Sequence, residues 1–109
     1  MNEIKVIIKR PGEAAFEARI ANELGTLKEW VGGYIETYAL SYNPAVIVIC
    51  NEEGKLEGMP YNCRLAGETF VGPIVLVGVR GEEFADCPVS LAAAQSAWTG
   101  LRSTKSYKK

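Results

Sequence analysis

The stretch VIVICNEEGKLEGMPYNCRL, residues 46–65, decides how the chain is read. With Ala45 before it, the run to Cys50 is apolar, β-branched and without alternation. Such a run suits a strand inside a sheet, covered on both faces. Asn51 to Gly54 reads as a reverse turn, with Gly54 supplying backbone freedom. KLEG, residues 55–58, reads as a short returning strand. Residues 59–68 carry no clear period and read as irregular.

On the N-terminal side, IKVIIK (residues 4–9) sends Ile4, Val6 and Ile8 to one face and Lys5 and Lys9 to the other. This predicts a half-buried strand. Pro11-Gly12 predicts a turn. Phe16, Ala18 and Ile20 alternate with Glu17 and Arg19, which predicts the second strand of a hairpin. GTLKEWVGG (residues 25–33) predicts a short helix. Thr26 and Glu29 have the capping-box spacing, Leu27, Trp30 and Val31 share a face, and Gly32-Gly33 stops it. That pair follows a helix rather than a strand, so it is not the phosphate cradle that opens one. YIETYAL (residues 34–40) is a strand, and SYNP turns the chain.

On the C-terminal side, TFVGPIVLVGV (residues 69–79) reads as one apolar strand with a bulge or bend at Gly72-Pro73. VSLAAAQSAWTG (residues 89–100) predicts a helix, with Leu91, Ala94, Trp98 and Leu101 at helical spacing and Gly100 at its end. The order β-β-α-β-β-(β)-β-α, with short links, predicts an α+β fold. It is a mostly antiparallel sheet of five to six strands, with a short helix after strand 2 and a C-terminal helix packed on it. We expect one domain over residues 1–101 and a flexible basic tail over residues 102–109.

Composition bounds the chemistry. The 109 residues are 48% hydrophobic and 23% charged, with a formal net charge of −1. That is ordinary globular usage, in a chain long enough to bury a core. The charge is uneven: Arg102, Lys105, Lys108 and Lys109 crowd the last eight residues, which hold no acid. The rest of the chain is acidic and should repel polyanions, while the tail should attract them. There is no His, so the Ser–His and Cys–His nucleophiles are excluded within this chain. The three cysteines, Cys50, Cys63 and Cys87, are odd in number and widely spaced. Neither a disulfide framework nor a zinc site is expected, and no cofactor motif is present. The apolar runs are too short to span a bilayer, and the first residues lack a signal-peptide pattern. The expectation is a soluble, cytoplasmic protein with no membrane partner.

Among polar residues, Glu52 and Glu53 read as a charged turn. Glu36 shares a strand face with Tyr34 and Tyr38. Asn51, Asn62 and Arg64 form the best polar constellation, if the fold gathers them near Gly72. Arg64 could clamp a carboxylate or phosphate, or bridge to Glu36, Glu52 or Glu68. Cys50 reads as a buried small hydrophobe. Cys63, beside Arg64, carries a hint of a reactive thiol.

Thr26-Leu27, the block 31–36, the block 51–56, Pro60, Asn62, Arg64 and Val71-Gly72 together resemble the family of domain of unknown function 3846. The resemblance runs from Ile4 to about Leu91. It implies no activity and no catalytic residues. It does imply a setting: the cytoplasm of gut Firmicutes, their phages and conjugative elements. The Ala-rich SLAAAQSAW departs from the more acidic helix of the family pattern, so the resemblance does not carry a role for that helix over to this chain. The leading functional expectation is a non-enzymatic protein-interaction module, with Tyr34, Glu36, Asn51, Asn62, Arg64 and Gly72 as binding residues. One alternative is a nucleic-acid accessory protein that uses Arg102, Lys105, Lys108 and Lys109. The other is a small-ligand sensor or enzyme with a pocket around Arg64.

Overall fold

In the computed structural model, the structure describes residues 2–104. The elements are β1 (Glu3–Lys9), β2 (Phe16–Ala21), α1 (Leu24–Val31), β3 (Ile35–Tyr42), β4 (Ala45–Asn51), β5 (Tyr61–Leu65), β6 (Glu68–Val71), β7 (Ile74–Arg80), β8 (Glu83–Ala85), α2 (Leu91–Ala97) and a 3-10 turn over Thr99–Arg102. The fold is α+β, as the element order predicts. Five strands run in the order β2-β1-β7-β4-β3, with β8 paired to β7 as a sixth, while β5 and β6 form a separate two-stranded sheet. All of these pairings are antiparallel.

The continuous apolar runs lie inside the large sheet because both of its faces are covered. In β4, Val46 and Val48 pack on one face with Leu65, Phe70, Ala94 and Leu101, while Ile49 packs on the other with Leu27 and Val31. Helix α1 therefore covers one face, and the β5–β6 hairpin with the C-terminal turns covers the other. The interior reading of residues 45–50 holds.

Three expectations change. The apolar run 69–79 is two strands rather than one bent strand. Gly72, at φ +69°, and Pro73 end β6 and start β7, and the two strands lie in different sheets. Residues 59–68 are not irregular. They contain β5, where Tyr61, Cys63 and Leu65 alternate with Asn62 and Arg64 over only five residues and the register to β6 shifts between Tyr61 and Cys63. Residues 55–58 are a turn, closed by Glu57 N–H donating to the Glu53 carbonyl at 2.9 Å, and not a returning strand.

The helices are also adjusted. Helix α1 starts at Leu24, capped by the backbone of Glu23, with no side-chain cap. Thr26 is thus already helical and forms no capping box. Gly32 does stop the helix, in the left-handed conformation at φ +81°. Helix α2 is capped by Ser90, whose Oγ accepts from Ala93 N–H at 3.1 Å. It ends at Ala97, before Gly100. Gly100 lies in the 3-10 turn, where a Cβ would collide with the Arg64 carbonyl. Among the described residues no helix is long and apolar enough to cross a membrane.

Lys9 departs furthest from the sequence reading. It was expected on the solvent face of β1 but is 0% exposed, sealed under the β5–β6 hairpin. Its ammonium donates to the Arg10 carbonyl at 3.3 Å. Burial lowers its pKa from 10.5, partly offset by Cys63 and Glu13 nearby. In the unfolded chain the amine keeps its ordinary value, so the unfolded state binds more protons below pH 10.5. Stability that the buried amine withholds at neutral pH returns as pH rises toward that value. Lys9→Met should therefore raise unfolding stability at pH 7 by about 1 kcal/mol or more. The gap between variant and wild type should narrow as pH rises toward 10.5. Urea melts at several pH values read both effects.

Candidate functional site

The residues proposed from sequence fall into two places. The first is the joint between the sheets. Asn62 is fully buried, and its Nδ2 donates to the Lys9 carbonyl at 2.8 Å and to the Gly72 carbonyl at 2.7 Å. Gly72 in turn donates to the Pro60 carbonyl at 2.8 Å. A Cβ on it would stand 2.6 Å from Met59 Sδ, an atom of a flexible side chain that can give way, so it is the positive φ that requires glycine. The expected meeting of Asn62 with Gly72 is real, but the pair is sealed and serves the architecture.

Arg64 does not join them. It is exposed on β5 and reaches Thr69 Oγ1 at 3.4 Å. Glu68 pairs with Lys55 at 3.4 Å. Asn51 is buried elsewhere, at the end of β4. Its Nδ2 donates to the Val31 carbonyl at 3.1 Å and its Oδ1 accepts from Glu53 N–H at 2.7 Å. It locks the end of α1 to the turn after β4.

The second place is a cleft of about 190 Å³ between β3–β4 and the β5–β6 hairpin. Glu36, Tyr38, Cys50, Glu52, Lys55 and Phe70 are among its lining residues, and Asn51 reaches it as well. Glu36 lies opposite Cys50 and Tyr38 opposite Val48 in the β3–β4 register, so period-two alternation puts both side chains on the cleft face. The Tyr38 ring meets Phe70 edge-on at 5.7 Å between centroids. Tyr34 is outside this cleft. It sits just before β3, with Lys28 Nζ 4.3 Å from its ring centre. Of the proposed residues, the cleft therefore gathers Glu36 and Asn51 but not Tyr34, Asn62, Arg64 or Gly72.

Tyr38 was flagged in sequence only as a neighbour of Glu36. Phe70 and Lys55 were not singled out, because the hairpin and turn that carry them were read as other structures.

Burial, reinforced by Glu36 and Glu68 and opposed by Lys55, pushes the Cys50 thiol up to about 11. Burial pushes Cys63 up to about 11 as well, opposed by Lys9. Arg64 does not activate Cys63, because Cys63 faces the core while Arg64 faces solvent. Cys87 is also raised by burial. The cleft thiol is thus neutral at pH 7 and a poor nucleophile. Among the described residues, no three His, Cys, Asp or Glu side chains gather so as to hold a metal ion. Arg102 is exposed at the end of the 3-10 turn. Lys105, Lys108 and Lys109 lie outside the described residues, and with them most of the proposed nucleic-acid surface.

Comparison with known proteins gives a family match. The model of a family described as Domain of unknown function (DUF3846) matches residues 4–98. No curated protein and no solved structure matches the chain.

Two outcomes check this geometry. Asn62→Ala removes both donated bonds and should cost about 2 kcal/mol in denaturant unfolding. Asn62→Asp should cost more, since a carboxylate cannot donate and would face two carbonyl oxygens. In maleimide labelling of the native protein at pH 8, Cys63 and Cys87 should react only on unfolding. Cys50 should react more slowly than a free thiol, because its raised pKa leaves little thiolate.

Proposed function

From a chain that belongs to the family of domain of unknown function 3846, we propose a protein-interaction module that takes up an extended segment of a partner polypeptide along β3. The observation that carries this reading is the state of that strand. β3 is eight residues long, ends the large sheet, and pairs with no described strand other than β4. It displays Tyr38 and Tyr42, at 37% and 86% exposure, with Tyr34 at 69% just before it. Unpaired edges are templates for an added strand. In that mode main-chain bonds supply affinity, and side chains beside the edge supply selectivity. Tyrosine suits such a surface, being large, stiff and able to hydrogen-bond.

The opposite edge is built differently. β2 carries Glu17 and Arg19, which reach across to Lys5 and Glu3 at 4.0 and 3.7 Å. Charged side chains of this kind discourage strand addition. The neutral Cys50 thiol supports binding over covalent chemistry in the adjacent cleft. The family resemblance supports placing this role in a bacterial cytoplasm, in a protein of a phage or conjugative element.

The test compares wild type with Tyr38→Lys/Tyr42→Lys and with Arg64→Ala in pulldowns from host lysate. The edge variant should lose the captured protein by tenfold or more, and Arg64→Ala should keep it. Amide exchange in the purified complex should slow along β3. Equal capture by wild type and edge variant, with folding intact, would overturn the assignment.

A further inference from the structure

We infer that the partner segment taken up by β3 is basic on one face. It carries lysine or arginine at alternate positions, and these cations enter the cleft between β3–β4 and the β5–β6 hairpin. The inference rests on strand addition at β3 and names the chemistry of the strand that adds there.

The cleft sets the charge. Three carboxylates, Glu36, Glu52 and Glu68, line it against one ammonium, Lys55. Lys55 is taken by Glu68 at 3.4 Å. Glu36 and Glu52 are exposed and make no ion pair among the described residues. Glu36 and Glu68 both act to raise the Cys50 thiol in the cleft wall, as a negative field does. The ring of Tyr38 stands on the same wall, partly exposed, and its face attracts cations. The cleft holds about 190 Å³. Sites that enclose a whole small molecule hold roughly 300–1,000 Å³. This one suits the charged end of a side chain, and Glu36 and Tyr38 belong to the edge strand that would deliver it.

Strand geometry sets the spacing. Residues two apart on a strand share a face, and side chains directly opposite across a pair interact. Glu36 and Tyr38 occupy the cleft face of β3. The partner residues opposite them therefore lie on that face too, two positions apart. A cation opposite Glu36 pairs with its carboxylate, and one opposite Tyr38 meets the ring. The residue between them falls on the other face, where Ile35 packs with the core under α1. The exposed side chains of Leu24 and Tyr34 border that face beside Ile35. The fitting pattern is cation, apolar residue, cation.

A second copy of this chain does not meet the requirement. Antiparallel pairing of β3 with its twofold mate keeps both cleft faces on one side of the joined sheet. It would add a second set of the same carboxylates there, and like charges across a strand pair destabilise it.

The test is an NMR titration of the ¹⁵N-labelled full chain with two blocked peptides. Both alternate valine with threonine. Two successive threonines are replaced by lysine in one peptide and by glutamate in the other. The lysine peptide should move the amides of residues 35–42 and bind about fivefold more tightly than the glutamate peptide, the scale of two exposed ion pairs. The preference should vanish in Glu36→Gln/Glu52→Gln. It should persist in Glu29→Gln/Glu82→Gln, which removes the same charge from exposed positions outside the cleft. Equal binding of both peptides at β3 would overturn the inference and leave strand addition standing. A preference that survives the first variant, or is abolished equally by the second, does the same. With either peptide, shifts confined to other surfaces, or none, would overturn strand addition and the inference together. A wild type that sediments as a dimer, returned to monomer by Tyr38→Lys/Tyr42→Lys, would make a second copy the occupant and overturn the inference as well.

Discussion

One amide nitrogen, Asn62 Nδ2, joins the two sheets of this protein. It holds the Lys9 carbonyl at the end of β1 and the Gly72 carbonyl at the break between β6 and β7. The need for such a joint follows from the topology. β6 and β7 are separated by only two residues but belong to different sheets, so the chain must leave one plane and enter the other at Gly72-Pro73. A backbone turning that sharply exposes a carbonyl that neither ladder satisfies, and a buried carbonyl without a donor is costly. Asn62 answers the Gly72 carbonyl at that turn and, with the same amide, the Lys9 carbonyl at the end of β1. Its own Oδ1 finds no partner among the described residues, so the joint is stabilising but incompletely satisfied.

The rest of that face depends on the joint. With the hairpin fixed over the sheet, Lys9 is sealed beneath it and Cys63 and Phe70 enter the core. The outer margin of the hairpin then stands off from β3, and the gap between them is the cleft. The buried amine of Lys9 is what this closure costs. A β1 with its hydrophobic side on α1 alone would have left that lysine in water, as its alternation suggests.

What was legible in the sequence follows from how local each determinant is. The interior of β4 was readable because burial on both faces leaves an unbroken apolar run. The β1–β2 hairpin and the left-handed stop at Gly32 were readable because alternation and turn chemistry act over a few residues. β5 was not, although Tyr61, Cys63 and Leu65 alternate with Asn62 and Arg64, because that alternation spans only five residues and Asn62, which it would send to solvent, is buried to bond backbone inside the core. Gly100 misled for a similar reason. Near a helix end it reads as a stop, but its lack of a side chain serves a close approach to β5, which sequence spacing does not reveal. Of the candidate site, alternation in β3 placed Glu36 and Tyr38 together correctly. The far wall came from the hairpin, so the cleft itself could not be foreseen.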